Sequence, residues 1–326
     1  MRDPDYAIVG AGAIGSVLAA HLARAGHEVA VLARGARAAQ VERDGLVIEG
    51  LAAFPVPVRV VSDPAALRAA RVLIVATKTP GTAETLASLG HVALEAALSI
   101  QNGPGKNDLL AAAFGPDRTL GALANTSAEL QAGGAVLFTR NVNVFIGELP
   151  EGTSPRVQRI VRELDASGVR ATETSQVLAL EWSKFCAWAG LMALSVTTRR
   201  PTWAFLVDPD AALVIVRVVR EMVRLAAALG IEVSDESVLP VASIARGTDR
   251  DAVAAVAAVG ERYRRDAPGH RMSSLQDVDA GRPLEVHETL GYALERAAAL
   301  GLELPVLRTL HGLTVALDPA RHAPGP

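Results

Sequence analysis

Tyr6–Val9 is a short apolar run that enters directly into three spaced glycines, Gly10, Gly12 and Gly15. In a strand–turn–helix unit the first glycine makes the tight turn and the second lets the backbone approach a pyrophosphate. The third lets the helix pack closely on the strand. The helix that follows offers the N–H groups of its first turn, with Ala13 and Ile14 among them, to phosphate oxygens. A run of this composition, a few residues into the chain and followed by a helical pattern, reads as a dinucleotide site; the alternative is a glycine-rich turn with no ligand.

The second strand, His27–Ala33, ends where an NAD-specific protein places Asp or Glu for the ribose 2′-hydroxyl. Here the residues are Ala33, Arg34, Gly35 and Ala36, with Arg37 close by. A carboxylate repels a 2′-phosphate, whereas a guanidinium binds one through several donors. Arg34 therefore favours NADP(H); otherwise it is a solvated loop charge.

With 326 residues, half of them hydrophobic and 4% aromatic, the chain has enough small aliphatic side chains for two closely packed domains. A net charge of −3 without a long basic run argues against nucleic acid. Cys186 is the single cysteine, which rules out an internal disulfide and fits a reducing compartment such as the cytoplasm. Its apolar neighbours mark it as buried filler. The N-terminus does not read as a signal peptide, and Arg, Glu or Gly interrupts each apolar stretch before membrane-spanning length, so no membrane is expected. The seven histidines show no ligand spacing, and no metal is expected.

The first half alternates short strands with helices. Ala13–Ala25 is helical with Gly26 as its C-cap. Leu46–Glu49 and Phe54–Val61 read as two inserted strands, and Ala70–Ala76 as a central parallel strand. Another strand precedes Gln101–Gly105, and β-like segments over Thr119–Gly147 complete the sheet. From about Ser175 helices dominate: Leu178–Val196, Asp210–Leu229, Ser234–Ala245, Asp251–Arg265 and Glu285–Leu300. The expected fold is an α/β Rossmann-type N-terminal domain over residues 1–174 with a second, all-helical C-terminal domain over 175–318. Residues 319–326 read as a disordered tail. The ligand crevice is expected between the domains, outside the carboxyl ends of the strands. Alanine-rich helices such as Val214–Leu229 form either a homodimer seam or internal packing.

Hydride chemistry needs a substrate held against the cofactor and a proton donor for the carbonyl oxygen. Thr77-Lys78 follows a main strand, where Lys78 reaches cofactor or substrate or is a surface lysine. Gln101–Gly105 also follows a strand, and the Asn102 amide both donates and accepts. Lys184 is the only cation in a strongly apolar helix, and helical spacing puts 184, 188, 191 and 195 on one face. Burial there lowers an amine's pKa towards neutrality and makes a general acid; the alternative is a lysine snorkelling at a helix edge. Ser273 is a ligand contact or a helix cap, and Glu285 an active carboxylate or a helix-dipole residue.

Taken in order, GAGAIG at 10–15, Arg34, TK at 77–78, QNGPG at 101–105, EWSKF at 181–185, SSLQD at 273–277 and GRPLE at 281–285 resemble the 2-dehydropantoate 2-reductase (ketopantoate reductase) family. The resemblance runs from about residue 5 to 317. It implies a Rossmann domain, a helical domain and NADPH-dependent reduction of 2-dehydropantoate to (R)-pantoate, a step towards pantothenate. By position, Lys184 matches the lysine that donates a proton or hydrogen bond to the C2 carbonyl oxygen, and Glu285 the carboxylate that organises the site. Asn102 matches an asparagine near nicotinamide and substrate, and Ser273 a substrate-carboxylate contact, with Asp277 in the same motif on the substrate side. Arg34 and Lys78 match cofactor positions.

Departures from the family pattern concern the substrate. One turn after the lysine the family commonly has an asparagine, here Trp188, and a further turn along another, here Met192. Val286-His287 and Leu290-Gly291 replace the usual Ile-Asp and Asn-Gly. A pocket without those amides discriminates less well for a substrate hydroxyl. The readings are a ketopantoate reductase-like 2-oxo acid reductase, a related reductase for a more apolar 2-oxo acid or ketone, a hydroxy-acid or amino-acid-forming dehydrogenase of similar plan, and a non-catalytic nicotinamide-nucleotide-binding regulatory protein.

Overall fold

A computed structural model describes residues 2–321. The chain divides into two compact units, 1–178 and 179–326.

The first unit is built on a ten-stranded sheet. In chain order it comprises β1 (Tyr6–Val9), α1 (Ala13–Arg24), β2 (Val29–Leu32), α2 (Gly35–Asp44), β3 (Leu46–Gly50), β4 (Phe54–Val56), β5 (Arg59–Val61), β6 (Ala69–Val75), α3 (Thr82–Ala87), β7 (Ala93–Ser99), α4 (Gly105–Phe114), β8 (Thr119–Leu130), β9 (Val136–Glu148), α5 (Pro155–Ser167) and β10 (Ala171–Glu173). The strands run in the order β4-β3-β9-β8-β7-β6-β1-β2-β5, with β10 also paired to β9. Without the β3–β4 insertion, β5-β2-β1-β6-β7-β8 is the Rossmann order 3-2-1-4-5-6, and these pairs are parallel. The order reverses between β1 and β6, and the glycine turn leaves the sheet there.

β1 is apolar throughout because both its faces are covered. Tyr6 and Ile8 belong to one core cluster and Ala7 and Val9 to the other. Helix α1 ends at Arg24 with Ala25 as its cap, one position earlier than the Gly26 cap expected from the sequence, and Gly26 follows in the left-handed region at φ +93°. Residues 54–61 are two strands rather than one. β4 pairs antiparallel with β3 at one edge of the sheet, whereas β5 pairs with β2 at the other. Pro55 and Pro57 lack the N–H groups a continuous strand would need.

The second unit is all-helical: α6 (Val177–Thr198, whose first turn straddles the division), α7 (Thr202–Leu206), α8 (Pro209–Ala228), α9 (Val241–Arg246), α10 (Asp249–Asp266), α11 (Ser273–Asp279), α12 (Tyr292–Ala299) and α13 (Pro305–Ala316). At 22 residues α6 has the length and apolarity to cross a membrane, contrary to the expectation that every apolar stretch is too short. Its most apolar window is 83% buried inside the folded chain, so core packing explains the composition.

The helix expected over 234–245 forms only at 241–246. The Asp235 carboxylate accepts from the Ser243 N–H at 2.9 Å, and Pro240 precedes the helix. The helix expected from Glu285 opens instead with a π-helical turn at His287–Gly291. The apolar face of α8, including Ile215, Val219 and Met222, is fully buried, and the helix packs on α9, α10 and α13. Internal packing therefore uses the stretch read as a dimer seam. Pro319–Arg321 forms a 3₁₀ turn, so the expected tail does not begin at 319; its remainder, 322–326, lies outside the described residues.

Candidate active site

The glycine turn separates what the protein needs from what it leaves open. Gly10 has φ +106°, and a Cβ there would lie 2.7 Å from Thr77 Cγ2. A Cβ on Gly15 would lie 2.1 Å from the Gly10 carbonyl oxygen. Both glycines are required by packing. At Gly12 the nearest atom to an added Cβ is 3.9 Å away, an ordinary contact. The missing side chain there leaves room beside the backbone, where a pyrophosphate needs it. Gly12 is the N-cap of α1 with no side-chain cap bond, and the first turn, with half-buried Ala13 and Ile14, carries no acid. Its N–H groups and dipole suit an anion. The residues present fit a dinucleotide.

At the ribose end, Arg34 is the exposed N-cap of α2 and its side chain makes no ion pair among the described residues. Arg37 is half-buried and donates to Ala11, Ser16, Gln40 and Gly134. Of the two guanidinium groups near this end, Arg34 is the one open to a ligand.

The two strand-end motifs are joined by Gln101, a role the sequence did not reveal. Its buried amide nitrogen donates to Thr82 Oγ1 at 2.8 Å, Lys78 O at 3.1 Å and Thr77 Oγ1 at 3.2 Å, while its oxygen accepts from Ser99 Oγ at 3.0 Å. The ends of β6 and β7 are thereby tied together, with exposed Lys78 and half-buried Asn102 on either side. The signal was a glutamine closing a buried strand. Lys106, one residue beyond the QNGPG run, was also missed; it is buried, with Nζ 3.0 Å from Asn107 Oδ1.

In the second unit, α6 carries Glu181 and Lys184 as its only charges. Glu181 is buried, Lys184 half-buried and Trp188 8% exposed. Met192 and Leu290 are wholly buried, so both of these departures are packed into the core of the second unit. Burial also raises the Cys186 thiol pKa, and this residue is core filler as expected.

Ser273 opens α11 exposed, but the N-cap is Met272 and has no side-chain cap bond, which removes the capping explanation for Ser273. Asp277, placed on the substrate side by the sequence, is buried and accepts from Arg282 Nε at 2.8 Å; its carbonyl accepts from Arg282 N, also at 2.8 Å. It joins the SSLQD and GRPLE motifs. Glu285 is buried just before the π-turn, with its carbonyl accepting from the Thr289 hydroxyl. The π-turn runs directly into the α-helix at Tyr292, so Glu285 lies immediately before the N-cap, Val286, and the helix-dipole reading stays open beside the active-carboxylate one.

A Rossmann unit whose glycine turn fits a dinucleotide, followed by a helical unit bearing a lysine and a buried glutamate, is the plan of a two-domain nicotinamide-dinucleotide oxidoreductase. The chain belongs to the ketopantoate reductase PanE/ApbA family: that family's description matches residues 6–151, and the description of its C-terminal part matches 176–318. It is 26% identical to the 2-dehydropantoate 2-reductase of Archaeoglobus fulgidus over 98% of this chain and 99% of the relative. It is 28% identical to that of Halobacterium salinarum over 94% and 96%. The solved PanE/ApbA family ketopantoate reductase from Ralstonia eutropha has TM-score 0.82 and 25% identity over 98% and 99% of the two chains. A D-mandelate dehydrogenase solved with NADH and anilino(oxo)acetate, at 20% identity and TM-score 0.82 over 98% and 99%, shares the fold.

Proposed function

We propose that the protein reduces a 2-oxo acid to a 2-hydroxy acid with NADPH, and that 2-dehydropantoate to (R)-pantoate is its reference reaction. The observation that carries this reading is Lys184, the one cation of a 22-residue apolar helix. When bound, the dinucleotide supplies the hydride that reaches C2. Lys184 gives a proton to the carbonyl oxygen as negative charge develops there, so its stabilisation is greatest in the transition state. Glu285 orients the ammonium, Asn102 and Ser273 hold the substrate, and Asp277 supports that segment through Arg282. Gly10, Gly12, Ala13, Ile14 and Gly15 with Lys78 hold the cofactor, while Arg34 meets the 2′-phosphate.

Trp188 favours a second substrate reading within the same chemistry, a more apolar 2-oxo acid. Its indole lies one helical turn from Lys184 with a small exposed surface. We place the enzyme in the cytoplasm and propose a homodimer through the helical unit. A solved relative from Staphylococcus aureus is described as dimeric, and Leu300 and Leu313 are exposed leucines on that unit here.

The test is an NADPH-oxidation screen of 2-oxo acids, ketopantoate and arylglyoxylates included, with NADH in parallel. Turnover of ketopantoate supports the reference reaction, and turnover restricted to apolar acids supports the second. Equal rates with NADH contradict the role of Arg34. Cofactor binding with no turnover of any acid leaves the regulatory reading.

A further inference from the structure

The carbonyl of Ala11 and the N–H of Gly12 belong to one peptide plane, and in a trans peptide they point in opposite directions. Whatever anchors the carbonyl therefore aims the N–H. Here the anchor is Arg37, whose Nε donates to Ala11 O at 2.8 Å. Its Nη2 donates to Ser16 Oγ at 2.9 Å, and Ser16 Oγ in turn donates to Ala11 O at 3.1 Å. The N–H of Gly12 makes no hydrogen bond among the described residues, which leaves a donor aimed away from a cation.

The same guanidinium reaches a distant part of the sheet. Nη1 donates to Gly134 O at 2.8 Å and to Gln40 Oε1 at 2.5 Å. Gly134 lies in the tight tip between β8 and β9, closed by Gly134 N to Gln131 O at 2.8 Å. It has φ +85°, and a Cβ there would fall 1.8 Å from Gln40 Nε2. The tip thus rests directly on α2.

We propose that Arg37 is a positioning residue for the dinucleotide turn, braced by the β8–β9 tip. It holds the Ala11 carbonyl so that the Gly12 N–H and the first turn of α1 stay aimed at the pyrophosphate, and recognition of the 2′-phosphate falls to Arg34. The proposal rests on the dinucleotide reading of the turn. It separates two roles that the sequence leaves merged in neighbouring arginines. The pyrophosphate is common to both nicotinamide dinucleotides, whereas the 2′-phosphate belongs to one, so the roles have different signatures.

The experiment measures dissociation constants for NADPH and NADH with the full chain, together with KM and kcat. Arg37→Gln removes the guanidinium's bonds to Ala11, Ser16, Gln40 and Gly134 and raises both dissociation constants by the same factor, about tenfold or more. The loss falls on the cofactor KM, and kcat at saturation changes far less. Arg34→Gln raises the constant for NADPH alone. Gly134→Ala, which leaves the arginine intact but puts a side chain at φ +85° against Gln40, disturbs the tip and reproduces the shared loss. Circular dichroism confirms that each variant is folded. A loss confined to NADPH in Arg37→Gln, or no loss, overturns the proposal, and no effect of Gly134→Ala overturns the part assigned to the tip. If the unaltered protein binds neither dinucleotide, the reading of the turn itself fails.

Discussion

Lys184 is half-buried on an otherwise apolar helix, whereas Lys78 is exposed, and the proposed general-acid role is therefore tested at Lys184. Lys184→Arg keeps the charge but cannot release a proton readily. We expect it to bind substrate and lose turnover, measured as kcat falling with KM little changed. At Trp188 the prediction concerns specificity. Trp188→Asn supplies an amide that donates and accepts, and is expected to raise kcat/KM for ketopantoate relative to an apolar 2-oxo acid, by about tenfold for one added hydrogen bond to a substrate hydroxyl. No change in the ratio would mean that the indole does not face the substrate. His21 gives a pH dependence. Its ring is buried between Phe54 and Phe138, with Nδ1 2.9 Å from Ser167 O and Nε2 without a partner. Desolvation lowers its pKa, so the unfolded chain takes up the proton first. Stability is therefore full above the ordinary histidine range and declines as pH falls through about 6.5. Thermal unfolding between pH 8 and 5 checks this, and His21→Phe is expected to flatten the decline.

Among the elements, α13 shows how a distant carboxylate starts a helix. The buried Glu221 of α8 accepts from Val306 N and Leu307 N, both at 2.9 Å, behind Pro305. Glu221→Ala leaves two buried donors unmet, and we expect a loss of about 1–3 kcal/mol in denaturant unfolding, with less for Glu221→Gln. This pairing joins residues 85 apart in sequence and has no local signature. The same limit governed what could be read beforehand. β1, β6 and α1 were legible because long apolar runs and the glycine turn carry their own periodicity. Helix α2 was not, because it opens on Gly35 at φ +56° and buries only Ala38 and Val41. The split of 54–61 between opposite sheet edges depends on where neighbouring strands lie, which two prolines hint at but do not determine. Ser273 and Gln101 make the same point within the site: only the hydrogen bonds show that the first is no cap and that the second is a tie.

The proposed site residues fall in both units, those proposed for the dinucleotide in the first and Lys184, Trp188, Ser273 and Glu285 in the second. Cofactor binding to the folded state adds stability by mass action, about 2.7 kcal/mol at a hundredfold excess over Kd. We expect NADPH to raise the unfolding temperature more than NADH at equal concentration, with the difference abolished in Arg34→Gln. The proton-transfer role of Lys184 is decided most directly by kcat/KM for the best 2-oxo acid in Lys184→Ala, with NADPH affinity measured alongside. Removal of a general acid predicts a fall of about a hundredfold or more with cofactor affinity unchanged. Retention of kcat/KM within about threefold, at unchanged NADPH affinity, would contradict it.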